Sequence, residues 1–439
     1  MATILIKNAD IVTLDAEGTI HGGADLLIDE GRIAAIGSFD ADVEEVIDAS
    51  GRVVMPGFFN AHCHSPMTFE RGWAEDLPFP RWLNEKIWVA ESALTPDDVY
   101  WGAMLAACEM IKGGTVGFND HYFHMHRVAE VVAASGLRAN LTNCVFGIGA
   151  DAEVGGGLQE ALEFCEKFHD IIPGRLRTSL GPHSPYICPP EFLATIAEYA
   201  QKMKQAIHIH LSESTEQVEN SRQKHGKTPV QLLNDLGVLE GHVVAAHCLA
   251  LDETDLQILS EKNVFVARTP ITYMKLAMPM NRIAALHDAG VSVALGSDGP
   301  GSNNDMDMFA ALRQTALLEK YLGEDPEQMA GDLPLRMATR VGALAMGFEN
   351  SGVIEVGAAG DAIIVDFQQA HLYPRHSLTA NLVHATKGGD VTHTIVDGQV
   401  LMRERQLVTL DEAEILKEAE RHAFRMVGQD MQQVRKYEA

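Results

Sequence analysis

Four short apolar runs in this chain each end on side chains able to hold a metal ion, in the fixed order His62-Cys63-His64, His210, His247 and Asp298. Read as β-strands, the runs all deliver their polar ends to one side. That restricts the fold sharply, because a closed barrel of parallel strands is the architecture that gathers such ends at a single mouth.

The middle of the chain, about 57–359, alternates apolar strands with helical text. The strands read VVMPGFFNAHCH, GTVGFND, RANLTNC, RTSLGPHS, AIHIHLSE, HVVAAHC, VFVART and VSVALGSD, and stretches such as PEFLATIAEYAQKM and NRIAALHDAG separate them. Eight strands with intervening helices predict an α/β fold, a (β/α)8 TIM-like barrel over 57–359. His62 and His64, Asp120, His183, His210 with Glu213, His247 and Asp298 all fall at the C-terminal strand ends, where such barrels do their chemistry. Residues 1–56 read instead as short antiparallel strands with period-2 alternation, and similar text returns over 360–409. The two chain ends are therefore expected to build a small β-sandwich, with a helical segment over 410–439 outside it.

Composition narrows the partners. Sixty-one acidic against 34 basic residues give a net charge of −27, a surface that repels nucleic acid and anionic membrane. The expected partner is a small molecule, with homo-oligomerisation left open. Six cysteines (63, 108, 144, 165, 188 and 248) show no paired spacing and read as reduced thiols. No secretory h-region and no long apolar span is found, so the expected location is the cytoplasm.

Residues i and i+2 of a strand share a face, so His62 and His64 can point at one ion. With 19 histidines, chance gives roughly one H-x-H in such a chain, and this one has three. His124 and His126 fall past a strand end and read as surface histidines. Of His208 and His210, only the second sits at the mouth; His208 reads as a hydrogen-bonded core residue one layer deeper. Asp298 closes the eighth strand as a hard anionic donor. His62, His64, His210 and Asp298 suit one divalent ion, Zn²⁺ ahead of Fe²⁺. The fourth strand, RTSLGPHS, has no lysine to bridge two ions, so a mononuclear centre is expected.

These residues together resemble the amidohydrolase superfamily over nearly the whole chain, and most closely its S-adenosylhomocysteine/methylthioadenosine (adenosine-type) deaminase branch. The resemblance rests on Pro56-Gly57, Asn60-Ala61-His62-Cys63-His64, Gly181-Pro182-His183-Ser184-Pro185-Tyr186, His210-Leu211-Ser212-Glu213, Ala246-His247-Cys248 and Gly296-Ser297-Asp298-Gly299 with Ser302-Asn303-Asn304. A bound Zn²⁺ brings the pKa of water toward ~7. Glu213, three residues after His210, is placed to protonate a ring nitrogen. His247 is expected to orient the water, and Asp298 to carry its proton to the departing ammonia. Taken singly, His247 also reads as a core histidine and Glu213 as an acid at a helix N-terminus.

The resemblance further implies that Glu91 accepts hydrogen bonds from ribose hydroxyls and that His183 contacts the nucleoside. Trp88 is either a wall of the purine pocket or core packing. Three departures bear on substrate. The arginines that hold an amino-acid carboxylate in this branch are missing after strand three, both at Leu141-Thr142-Asn143-Cys144 and at Gly155-Gly156-Gly157. Tyr273 and Met274 are expected to reshape one pocket wall. His121 is a substrate contact or a supporting group. An unpaired substrate carboxylate in a pocket is unfavourable. The expected activity is therefore deamination of a 6-aminopurine nucleoside, methylthioadenosine or adenosine ahead of S-adenosylhomocysteine. The alternatives are an aminohydrolase or chlorohydrolase of another heteroaromatic ring (guanine, pterin, triazine) and a catalytically silent scaffold.

Overall fold

The computed structural model describes residues 3–39, 41, 43–148 and 157–428. Its centre is a sheet of eight parallel strands: Phe58–Cys63, Thr115–Tyr122, Arg138–Val145, Leu176–Pro182, Ala206–Leu211, Val243–His247, Phe265–Arg268 and Ser292–Leu295. Each pairs with the next in chain order. The ring closes between first and last strands through a Cys63–Asp298 bridge, where the Asp298 amide donates to the His62 carbonyl at 3.0 Å. All eight expected strands are present. The first three are buried at every residue, as strands covered on both faces must be, which is why their text is apolar on successive positions rather than alternating.

Inside the barrel, below the mouth, polar side chains satisfy one another instead of water. Asn140 Nδ2 donates to Asn119 Oδ1 (3.0 Å) and Ser179 Oγ (2.7 Å), and Asn60 Nδ2 donates to Ser297 Oγ (2.7 Å). A buried network that is fully paired fixes strand register, because a slip would orphan several groups at once.

The sequence reading of VVMPGFFNAHCH as one strand is corrected. Arg52–Pro56 belongs to the terminal sheet and Phe58–Cys63 to the barrel, with the break at Gly57. A Cβ at Gly57 would stand 2.2 Å from Val116 Cγ1, so the chain can cross between the two sheets here only without a side chain.

The terminal sheet has nine strands drawn from both chain ends. It is mainly antiparallel, but Ile4–Val12 also takes two parallel neighbours, Glu45–Asp48 and Arg52–Pro56, a mixture the alternation pattern did not reveal. Its distant arms bend together: Gly360 N donates to Gly31 O at 2.8 Å, and Gly398 N to Gly360 O at 3.1 Å. Between them lies one apolar cluster including Ile4, Ile28, Ile33, Ile364 and Ile395, separate from the barrel core.

Two further elements frame the mouth. Residues 71–95 run over the rim as short pieces: Phe79–Trp82, a π-turn Leu83–Ile87 and Trp88–Glu91. The C-terminal helix Glu412–Val427 lies across helix Pro96–Lys112; residues 429–439 of the expected helical segment fall outside the described residues. Among the described residues no helix is long and apolar enough to cross a membrane.

Candidate active site

Strand alternation aims His62 and His64 at the same point above the barrel. His210 arrives from the fifth strand, His247 from the sixth, and Asp298 from the turn after the eighth. The ligand-capable atoms of His62, His64 and His210 lie within 4.8 Å of one another, as do those of His62, His247 and Asp298. His62 Nε2 and His64 Nε2 stand 3.6 and 3.3 Å from Asp298 Oδ1, and His210 Nε2 is 3.4 Å from His64 Nε2.

The far side of each ring explains why these atoms converge. His64 Nδ1 donates to the His121 carbonyl (2.6 Å) and His210 Nδ1 to the His183 carbonyl (2.8 Å), which turns both Nε2 atoms inward. His62 Nδ1 meets His208 Nε2 at 2.9 Å, so His208 sits one layer down as a hydrogen-bonded core residue. His62 Nε2 itself is buried without a hydrogen-bond partner among the described residues. Three imidazoles presenting Nε2, with one carboxylate beside them, fit a divalent metal ion.

The electrostatics divide the rings: burial lowers His64, but the Asp298 hydrogen bond and charge outweigh it and raise it above the usual histidine value. Burial, and then the neighbouring imidazoles, hold His62 and His210 well below the usual histidine range, so both rings are neutral and able to coordinate. Burial pushes the Asp298 carboxyl up, but the His64 hydrogen bond and the His247 and His64 charges outweigh it and hold the group at about 2.

The backbone at the mouth is unusual. Ser212, His247, Cys248 and Asp298 have φ of +47, +75, +51 and +64°, left-handed conformations that favour glycine. Such residues carry of order 1–3 kcal/mol of strain each and gather where geometry is imposed by function. No periodicity in the sequence announces them.

Glu213 follows His210 by three positions and is buried. Tyr186 OH donates to its Oε2 at 2.9 Å, and its Oε1 is 3.6 Å from His247 Nε2. The Tyr186 contact was not singled out from sequence, although the residue closes the Gly181–Tyr186 motif. Asp120 was placed at a strand end without a role. It accepts from Ser65 N (2.8 Å) and Ser65 Oγ (2.5 Å), pinning the turn that leaves His64.

A cleft of about 650 Å³, counted with its open mouth, stands above these groups. Glu91, Trp88, His183, Phe146, Tyr186 and Leu276 are among its lining. Glu91 is almost wholly buried there. Burial raises its carboxyl to about 7 against the pull of the Tyr122 hydroxyl and His64. Burial, then His64 and His247, lowers His183 to about 3, a neutral ring stacked 4.7 Å from His210. None of the described residues lining the cleft is a lysine or arginine. Of the loop expected to lack an arginine, Gly155 and Gly156 lie outside the described residues.

Two expectations change. Tyr273 does not reshape the cleft wall: it is 1% exposed behind His247, its hydroxyl accepting from Thr269 N (2.8 Å) and lying 3.4 Å from His247 Nδ1, while Met274 faces solvent. His124 and His126 are half-buried at the start of helix Met125–Ser135 and stay outside the metal-capable group, as expected, though less solvated than read. His121 lines the cleft 4.9 Å from the His210 ring, and its Nε2 is buried without a partner among the described residues.

This fold and site define a metal-dependent hydrolase of the amidohydrolase class, and comparison with known proteins agrees. The amidohydrolase family pattern matches residues 53–401, and the chain belongs to that family. It is 41% identical over 435 residues to a 5-methylthioadenosine/S-adenosylhomocysteine deaminase of Pelotomaculum thermopropionicum, covering 98% of this chain and 100% of that one. It is 40% identical to a 5′-deoxyadenosine deaminase of Methanosarcina mazei, with 98% and 99% covered. Among solved structures, an adenosine deaminase from Xanthomonas campestris with bound zinc superposes with a TM-score of 0.93 at 29% identity, over 97% of this chain and 98% of that one. Within the family, the chain is a hydrolytic deaminase.

Proposed function

We propose that this protein removes the 6-amino group of a purine nucleoside whose 5′ substituent is uncharged, methylthioadenosine or adenosine ahead of S-adenosylhomocysteine. One observation carries the reading: two buried carboxyls, Glu213 beside the imidazole cluster and Glu91 on the cleft wall, face the same cavity in different environments. The first suits proton transfer at the ring, the second recognition of a diol.

In this reading His62, His64, His210 and Asp298 hold one ion, Zn²⁺ ahead of Fe²⁺. When bound, the ion supplies Lewis acidity that makes a water molecule acidic enough to attack near neutral pH. Water adds at C6 while the Glu213 carboxyl gives a proton to N1, so the ring carbon becomes electrophilic as the C–O bond forms. Tyr186 holds the Glu213 carboxyl in place by its 2.9 Å hydrogen bond. His247, backed by Tyr273, steadies the negative charge growing on the attacking oxygen. Asp298 takes one water proton and passes it to the amino nitrogen, which leaves as ammonia when the C6–N bond breaks, and the C6 hydroxyl returns its own proton to Glu213 as it becomes the carbonyl.

Glu91 accepts from the ribose hydroxyls, His183 meets the nucleoside edge, and Trp88 walls the purine. The lack of a lysine or arginine among the described residues lining the cleft supports an uncharged 5′ group, since a carboxylate taken from water without a partner is strongly disfavoured. Glu91 argues against free guanine, pterin or triazine rings, which offer no diol. The division of the chain into 1–56 with 360–409, 57–359 and 410–439 is supported by strand membership of the two sheets. A cytoplasmic, reducing location is supported by six cysteines that are all buried and show no paired spacing along the chain.

The test follows the loss of parent absorbance on metal-loaded enzyme with methylthioadenosine, adenosine, S-adenosylhomocysteine, guanine and a chlorotriazine. Turnover of the first two is expected; turnover of guanine with none of any nucleoside would overturn the reading.

A further inference from the structure

The wall that carries Glu91 has little support of its own. Between residues 71 and 95 no strand forms, and the one helical run, Phe79–Trp82 through the π-turn Leu83–Ile87 to Trp88–Glu91, has its α-helical ladder broken at the centre and is about thirteen residues long, marginal without packing. The wall also holds two acids in a dry place. Glu91 is 7% exposed and Glu70, at the end of the turn Ser65–Glu70, is 0% exposed with neither carboxyl oxygen hydrogen-bonded among the described residues. Burial, and then the Glu91 carboxyl beside it, pushes Glu70 well above the ordinary range. An unpartnered buried carboxyl such as that of Glu70 works against the packing that encloses it. Something outside the wall must hold it.

The C-terminal helix makes the contacts that would. Its Ala419 and Met426 form one buried cluster with Phe69 and Ala90, the residues immediately before Glu70 and Glu91. The His422 ring stacks on Phe69 with centroids 6.4 Å apart. On its other side His422 Nδ1 bonds Asp98 Oδ1 at 2.7 Å, and Arg425 bonds the second oxygen of the same carboxylate. Asp98 is 0% exposed and, through Thr95, caps the helix that begins just after Glu91: Thr95 N and Oγ1 both donate to Asp98 Oδ2, at 2.7 and 2.6 Å. Further along, Lys112 pairs with Glu412 at 2.7 Å. The grip therefore falls on both sides of Glu91, at Ala90 and at the Thr95–Asp98 cap.

We propose that the C-terminal helix is a clamp that positions Glu91, with His422 as its key positioning residue through Asp98 and Phe69 while Ala419 and Met426 pack on Ala90. The helix touches no substrate; it sets where the Glu91 carboxyl stands. This rests on the reading of Glu91 as the diol acceptor, and the experiment separates the two.

The full-length, metal-loaded enzyme is compared with His422→Ala, His422→Asn and Glu91→Gln. Three quantities are measured: steady-state kinetics on adenosine and on its 2′,3′-dideoxy analogue, bound metal, and amide hydrogen exchange. His422→Ala is expected to speed exchange over residues 79–94 while the barrel strands keep their protection. It should raise KM for adenosine by about tenfold, leave kcat and metal content within about twofold, and change the dideoxy substrate little. His422→Asn, which keeps a donor toward Asp98, should recover most of the loss. Unchanged exchange over 79–94 in His422→Ala would overturn the clamp whatever the substrate result. Parallel loss of metal, kcat and both substrates would also overturn it, as general destabilisation. If Glu91→Gln affects both substrates alike, it is the diol reading that fails, and faster exchange in His422→Ala with unchanged adenosine KM removes the positioning role too.

Discussion

The rim of the barrel and the wall above it are built in opposite ways. At the rim, His62, His64, His210 and His247 sit on hydrogen-bonded parallel strands and their ends, with the Asp298 turn anchored to the His62 carbonyl. Such a frame can hold left-handed backbone at Ser212, His247 and Asp298 and crowd four imidazoles round one carboxylate, because moving any one would break the sheet. The wall over 71–95 has no such ladder, and its position is borrowed from helix Pro96–Lys112 and the C-terminal helix. In the function proposed above, chemistry that tolerates no displacement falls to the frame, and recognition that must admit and release a nucleoside falls to the borrowed wall.

If that contrast holds, substitutions at the rim remove metal and turnover together, and those on the wall alter KM alone. The largest effect is expected at the ligands. His62→Ala, or a chelator, should lower turnover by at least ~10³-fold with loss of the ion by elemental analysis; an active, metal-free preparation would break the comparison at its root. Glu213→Gln comes next: kcat falls by about 10²–10⁴-fold, as for a general acid/base, with metal content kept. Simultaneous metal loss would move Glu213 into the ligand set.

Glu91→Gln tests the wall. Losing the charged acceptor weakens hydrogen bonds worth about 1.5–3 kcal/mol, roughly 10–150-fold in nucleoside KM, with metal unchanged. The pH dependence follows from the carboxyl being raised to about 7. A diol donates to the ionised form, so wild-type KM should improve as pH rises through about 7, and this limb should vanish in Glu91→Gln. Preference at the 5′ end is the next measurement: kcat/KM for methylthioadenosine should exceed that for S-adenosylhomocysteine by ~10–100-fold, and equality would point to an unrecognised carboxylate partner.

The smallest effect is on stability. Because Glu91 titrates higher folded than unfolded, the native state binds more protons between pH 4.5 and about 7, so this group's contribution declines as pH rises through that window. Melting of the metal-free protein across it should be less pH-dependent in Glu91→Gln.

The rim was largely legible in the sequence and the wall was not. His62-Cys63-His64 and Ser297-Asp298-Gly299 end apolar runs, and strand periodicity alone brings such ends to one mouth. The Gly57 break was missed because VVMPGFFNAHCH keeps its apolar character straight through a change of sheet; only the approach of Val116 separates the halves. Over 71–95 no period of 2 or 3.6 persists, so Glu91 entered the site by resemblance and not by pattern. Tyr273 looked like a wall residue because its neighbours in the chain are near the mouth, yet its ring turns inward to back His247.

What the sequence determined on its own was the order in which chemistry reaches the barrel mouth, since hydrophobic burial of each run dictates a strand and strand alternation dictates its facing. What the tertiary structure decided was everything set by neighbours remote in the chain: which nitrogen of His64 and His210 turns inward, because carbonyls at His121 and His183 claim the other, and what packs beside Glu91, because residues some 330 positions later lie against Ala90. Local pattern can fix a facing; a distance between two groups is fixed only when the intervening space is filled.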